Sequence, residues 1–185
     1  MFENFENFAK NYPKGKFISI IVISFIAFMF FNVYLGILYE NTGYPVPLIE
    51  GQTRFDAHLL KSDFQVLIQN NTLGDYILIQ YLDAGIMIST AIFFTMLAFF
   101  IFRYLKSPSW RMKGFIFSML FPLSSVLDLV ENIFLLTMVY NPIEFPNWLA
   151  YAYSGSAVLK LLAFFFGVLA LIAIPIFSKF SSDSA

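Results

Sequence analysis

SAVLKLLAFFFGVLALIAIPIF, Ser156 to Phe177, holds a single charged residue, Lys160, in an otherwise apolar or weakly polar run. A helix that crosses the hydrocarbon core of a bilayer needs about 20 predominantly apolar residues, and this run meets that length. Three others do the same: Phe17–Leu38, Tyr76–Phe102 and Phe115–Val139. None alternates at a period of two, and an open sheet leaves backbone groups unsatisfied in lipid, so all four read as helices.

Composition agrees with these spans. The chain is 59% hydrophobic and 12% charged, against about 45–50% and about 25% for a soluble domain. Its length suits one domain over residues 1–185, and its net charge of −1 points to no nucleic acid. There are no cysteines, so disulfides, thiolate nucleophiles and Cys-ligated metals are excluded. The one histidine, His58, stands isolated in a loop, and no cofactor is expected. The first span is too long for the apolar core of a secretory signal, and its exit, Leu35–Glu40, has no small-x-small cleavage site, so it reads as retained.

Orientation follows from Lys and Arg, which gather on the cytoplasmic side. Lys10, Lys14 and Lys16 precede the first span. Arg103, Lys106, Arg111 and Lys113 join the second to the third, and Lys179 follows the fourth. Only Arg54 and Lys61 lie on the other side. The expectation is an all-α polytopic protein of the cell membrane, in a bacterium the inner membrane, with both termini cytoplasmic. Tyr44, Tyr76, Tyr81, Trp148, Tyr151 and Tyr153 suit an outer aromatic belt and Trp110 the inner interface. The outer loop, residues 39–75, is too long for a simple connection. Phe55, Leu59, Leu60, Phe64, Leu67 and Ile68 repeat near helical spacing. They predict a short amphipathic helix that caps the bundle or acts as a lid, ending at Asn71–Gly74. The 25 Phe residues read as bulk facing lipid.

Charges inside spans are costly and so informative. Asn32, Asp83, Glu131, Asn132 and Lys160 each fall about 6–12 Å below the outer interface at about 1.5 Å per residue, with Asp128 about 5 Å deeper. Asp128, Glu131 and Asn132 are related by three and four positions and share one helix face, which Ser124 and Ser125 continue inward. Ser156, Lys160, Ala163, Gly167 and Ala170 form a stripe of polar and small residues, which points Lys160 into the bundle. Gln80, Asp83 and Thr90 line one side of the second span. Pro122 removes the partner of the Ser118 carbonyl, and a kink is expected there. One salt bridge, from Lys160 to Glu131 or Asp128, satisfies one acid and leaves two to be protonated, hydrated or paired with something outside the chain.

Asp83 early in the second span, Asp128-x-x-Glu131-Asn132 in the third and Lys160 in the first turns of the fourth resemble a set of small, uncharacterised bacterial four-helix membrane proteins, over roughly Gly74 to Ile174. The resemblance implies the fold and a purposeful polar layer, and no activity.

Three functions fit. The first is an outward-facing acidic pocket that binds or helps to transport an ion or small polar solute through Asn32, Asp83, Asp128, Glu131, Asn132 and Lys160. The second is an accessory subunit, partnered by further copies or by other membrane proteins, with the polar layer as glue between helices. The third, an enzyme on a lipid or isoprenoid substrate, has the least support: the sequence has no Asp-rich metal motif and no Gly-rich phosphate loop. Membrane lipid is a partner in every case.

Overall fold

The computed structural model describes residues 10–182. The outermost parts of the two tails expected on the cytoplasmic side, residues 1–9 and 183–185, lie outside the described residues. Among the described residues every regular element is helical. They are α1 (Lys14–Asn41), α2 (Leu48–Gln52), α3 (Ala57–Gln69), α4 (Leu73–Phe102), α5 (Pro108–Ser118), α6 (Leu120–Tyr140) and α7 (Trp148–Ser182). Four stretches, α1, α4, α5 with α6, and α7, are long and apolar enough to cross a membrane.

The third of these is broken where Pro122 requires it. Ser118 ends α5 and Leu120 starts α6, with Met119 between them. The Ser118 carbonyl would accept from residue 122, which has no N–H, and the proline ring crowds that carbonyl. A tighter turn replaces the missing rung, with Met119 N–H donating to the Ile116 carbonyl at 3.1 Å.

The helices pack in the order α1–α4–α6–α7. α1 lies along α4, α4 against α6, and α6 against α7, whereas α5 fits between α4 and α7. Close approach of α1 depends on Gly85, because a Cβ there would collide with the Phe31 ring. The stripe on α7 packs as its small residues predict: Ala163 and Ala170 are buried, and a Cβ on Gly167 would fall 2.9 Å from the Phe121 ring.

Two apolar clusters fill the two ends of the bundle. At the end of the 42–72 connection, Leu60, Phe64 and Leu67 of α3 pack with Tyr76, Leu135, Met138 and Tyr153. The other three apolar residues of the expected amphipathic face, Phe55, Leu59 and Ile68, are exposed. The Asp56 carboxylate caps α3 by accepting from the N–H groups of His58 and Leu59 at 2.8 and 3.2 Å. Asn71 turns the chain in the left-handed region, φ 58°, and the Thr72 hydroxyl donates to the Thr42 carbonyl at 2.6 Å, closing the connection on itself.

At the opposite end the cluster is aromatic: Phe17, Phe99, Phe102, Phe115 and Phe121 with Ala170 and Ile174. Phe94 stacks on Phe121 at 5.1 Å between ring centroids and meets Phe164 edge-on at 4.9 Å. The expectation that Phe is bulk facing lipid is therefore corrected. Phe25, Phe30, Phe165 and Phe177 are exposed, but much of the remainder builds this core, because offset and edge-to-face rings fill wide interhelical gaps. Arg103 ties the N-terminal segment to this end, donating to the carbonyls of Tyr12 at 3.0 Å and Lys10 at 2.6 Å.

Gly85→Val should lower stability by about 1–3 kcal/mol through overpacking, read as a lower melting temperature in detergent. Phe31→Ala added to that variant should recover most of the loss. Unchanged melting of Gly85→Val would refute close α1–α4 contact at this point.

Candidate functional site

The polar layer lies between the two apolar clusters. On α6, residues 128, 131 and 132 follow one helical face, and α7 brings Lys160 against it. The Lys160 ammonium is 2.6 Å from Asp128 Oδ1 and 2.6 Å from Glu131 Oε2. The expected single salt bridge is thus a shared one: one cation lies between two carboxylates because they are one helical turn apart. The Asp128 contact is a hydrogen bond. Glu131 Oε2 approaches the same nitrogen out of hydrogen-bonding alignment, and Oε1 has no partner among the described residues. The Glu131 side chain is 0% exposed, against 12% for Lys160 and 18% for Asp128.

Asp83 on α4 is reached separately, accepting from Asn132 Nδ2 at 2.9 Å. The two serines that continue the α6 face inward stitch it to both neighbours. The Ser124 hydroxyl donates to the Lys160 carbonyl at 3.0 Å and the Ser125 hydroxyl to the Met87 carbonyl at 2.9 Å. Every helix in contact with α6 at this level is therefore held by a polar bond as well as by packing.

A cavity of about 820 Å³ ends on Asp83, Asp128 and Lys160. Asn32 also lines it, on an exposed face of α1, with its amide nitrogen donating to the Phe28 carbonyl at 2.8 Å. Four of the six candidate residues thus face one space. Glu131 and Asn132 do not line it: Glu131 pairs with Lys160 and Asn132 orients Asp83, so both act through a neighbour. Of the other polar residues expected on α4, Gln80 lines the cavity, while the buried Thr90 hydroxyl has no hydrogen-bond partner among the described residues.

The sequence predicts that the outer connection caps the bundle through the helix around residues 55–68; the residues of that connection that line the cavity are instead Tyr44 to Leu48 and Gln52. That segment is pinned by Arg54, which donates to Asp63 Oδ2 at 3.0 Å and Oδ1 at 3.3 Å and to Glu50 Oε1 at 3.1 Å. The Tyr44 hydroxyl donates to the same Asp63 carboxylate at 3.3 Å. Burial pushes the Asp63 carboxyl above its usual range, opposed by the adjacent Arg54 guanidinium. The signal was present: Asp63 sits among Leu60, Phe64 and Leu67 on the buried face of α3, where a carboxylate needs a partner.

With Lys160 already shared by two acids, the cavity presents a surplus of acceptors and negative charge. Among the described residues no three His, Asp or Glu side chains converge as a metal cage. The arrangement is suited to holding a cation or a hydrogen-bond donor, and unsuited to an anion. Comparison with known proteins found no matching family model, curated protein or solved structure.

Lys160→Ala should destabilise the fold by about 3–5 kcal/mol, because it strands Glu131 as a buried charge. Adding Glu131→Gln should recover part of that loss. A Lys160→Ala variant that melts in detergent at the wild-type temperature would show that the shared pair contributes nothing.

Proposed function

We propose that this chain is a multi-pass protein of a cell membrane, with both termini cytoplasmic, that binds or helps to transport a cation or small polar solute reached from the outer face. The observation that carries the reading is the cavity ending on Asp83, Asp128 and Lys160, in which acceptors outnumber the one cation.

The distribution of basic residues supports the orientation. Arg103 and Lys106 follow α4, and Arg111 and Lys113 lie within α5, at the aromatic end of the bundle, where Lys113 also sits 4.4 Å over the Trp110 ring. In that orientation the segment Tyr44–Gln52 and helix α3 cover the outer end. Tyr44 and the Pro45–Pro47 stretch lie over the cavity, held by Arg54 and Asp63. This fits a site that is partly screened from bulk solvent, where each charge interaction is stronger than in water.

Binding is favoured over passage through one chain. Inward of Lys160 the bundle is closed by Phe99, Phe115, Phe121 and Ile174. A route across the membrane would need polar groups along its whole length.

The reading is tested with the full chain in lipid nanodiscs, titrated with sodium, potassium, calcium and ethylammonium while its thermal melting is followed. At least one of these cations should raise the melting temperature. Asp83→Asn should weaken that cation's apparent affinity tenfold or more, the scale of a lost charge-assisted hydrogen bond, with an unchanged helical circular dichroism spectrum. If none of them, and no ammonium of longer chain, shifts the wild-type protein, the site is not a cation site and the reading falls.

A further inference from the structure

We infer that the occupant of the cavity is an amphiphile with a primary-amine head and an alkyl chain, entering from the membrane between α1 and α7. This rests on the cation-binding reading above and names its ligand class.

Size is the first ground. A cavity of about 820 Å³ lies within the roughly 300–1,000 Å³ that hold drug-sized ligands. A bare ion or a short amine occupies a small part of it, given a water's share of about 30 Å³. The second ground is how the lining divides. Asp83, Asp128 and Lys160 line it together with the polar Asn32, Glu40, Gln52 and Gln80, while residues such as Leu35, Gly36, Ile79, Ile86 and Leu161 make most of the remaining wall apolar. A largely apolar wall that includes a charged cluster matches a chain and a head.

The third ground is access. α1 packs along α4 and makes no comparable contact with α7, yet Gly36 of α1 and Leu161 of α7 line the same cavity and both are exposed. Both helices are long and apolar enough to cross a membrane, so the gap between them is bounded by groups compatible with lipid. A chain lying in the bilayer reaches the cavity without leaving an apolar medium, and Tyr44–Leu48 of the 42–72 connection also line it.

The head follows from charge. Lys160 is committed to Asp128 and Glu131, so no free cation awaits a phosphate or carboxylate head, and the surplus acids repel one. Asp83 receives one hydrogen bond, from Asn132, at Oδ2, which leaves Oδ1 to accept. An ammonium brings three donors and a positive charge to Asp83 and the second oxygen of Asp128.

The test uses the full chain in phosphatidylcholine nanodiscs, with decylammonium, decanol, decanoate and ethylammonium as probes, read by thermal melting and by native mass spectrometry. Decylammonium should bind and raise the melting temperature, while decanol and decanoate at equal concentration should not. Asp83→Asn should weaken decylammonium at least tenfold. Gly36→Phe puts a ring on the apolar wall at a position where a Cβ meets nothing within 4 Å, so the fold tolerates it. It should lower the ratio of decylammonium to ethylammonium affinity at least tenfold. Partitioning into the bilayer is the same for each variant and cancels.

Equal response to decanoate, or an unchanged affinity ratio in Gly36→Phe, overturns the amphiphile. If ethylammonium binds with the affinity of decylammonium and the same dependence on Asp83, the cation site stands and the chain-binding wall does not. If none of the amines and none of the inorganic cations binds, both readings fall.

Discussion

The ammonium of Lys160, held between Asp128 and Glu131, is the constraint around which the middle of this bundle is arranged. Each of these charges, taken alone into a low-dielectric interior, would cost several kcal/mol. Placing the two acids one turn apart on α6 lets one cation on α7 serve both, and this fixes how α6 and α7 are rotated about their axes and how they slide along each other. Ser124 and Ser125 then fix α6 against the Lys160 carbonyl and α4, and Asn132 carries the network to Asp83. A slip of one residue in any of these helices would separate partners that nothing else can satisfy.

The apolar ends follow from the same constraint. The polar layer is bounded by α3 with its cluster on one side and by the Phe-rich cluster on the other. The clusters differ because their neighbours differ. Near the aliphatic and tyrosine cluster, polar partners are available in Asp63, Arg54 and Thr42. At the other end Arg103 and Arg111 bond to backbone carbonyls, and stacked and edge-on rings fill the space between the helices. The break at Met119 sits at the edge of the second cluster and lets α5 leave the line of α6 to fit between α4 and α7.

The cavity exists because α1 does not complete the bundle. A Gly at position 85 draws α1 against α4, and α1 has no matching groove on α7. What would be the fourth seam of a closed four-helix bundle is left as a slot. The acids at its inner wall are excess charge relative to Lys160, and they face that slot rather than the sealed interior, which is the arrangement that makes them tolerable and usable.

Hydropathy alone determined the four membrane-length helices, because an apolar run of about 20 residues has few other stable destinations. Spacing alone determined that Asp128, Glu131 and Asn132 share a face and that Lys160 turns inward, because 3.6 residues per turn sets direction within one helix. It also located the break, since a proline lacks the N–H that Ser118 would use. Periodicity carries no information about which helix a face meets. The sharing of Lys160 by two acids, the withdrawal of Glu131 and Asn132 from the cavity, the burial of so many Phe rings and the open seam between α1 and α7 were therefore decided only by tertiary packing. So was the arrangement of the 42–72 connection beside the cavity, where Asp63 and Arg54 meet across the turn at Phe55 and Thr72 bonds back to Thr42. Within one helix the geometry is local and can be read from the chain; between helices it is set by which surfaces bury the most apolar area without stranding a charge.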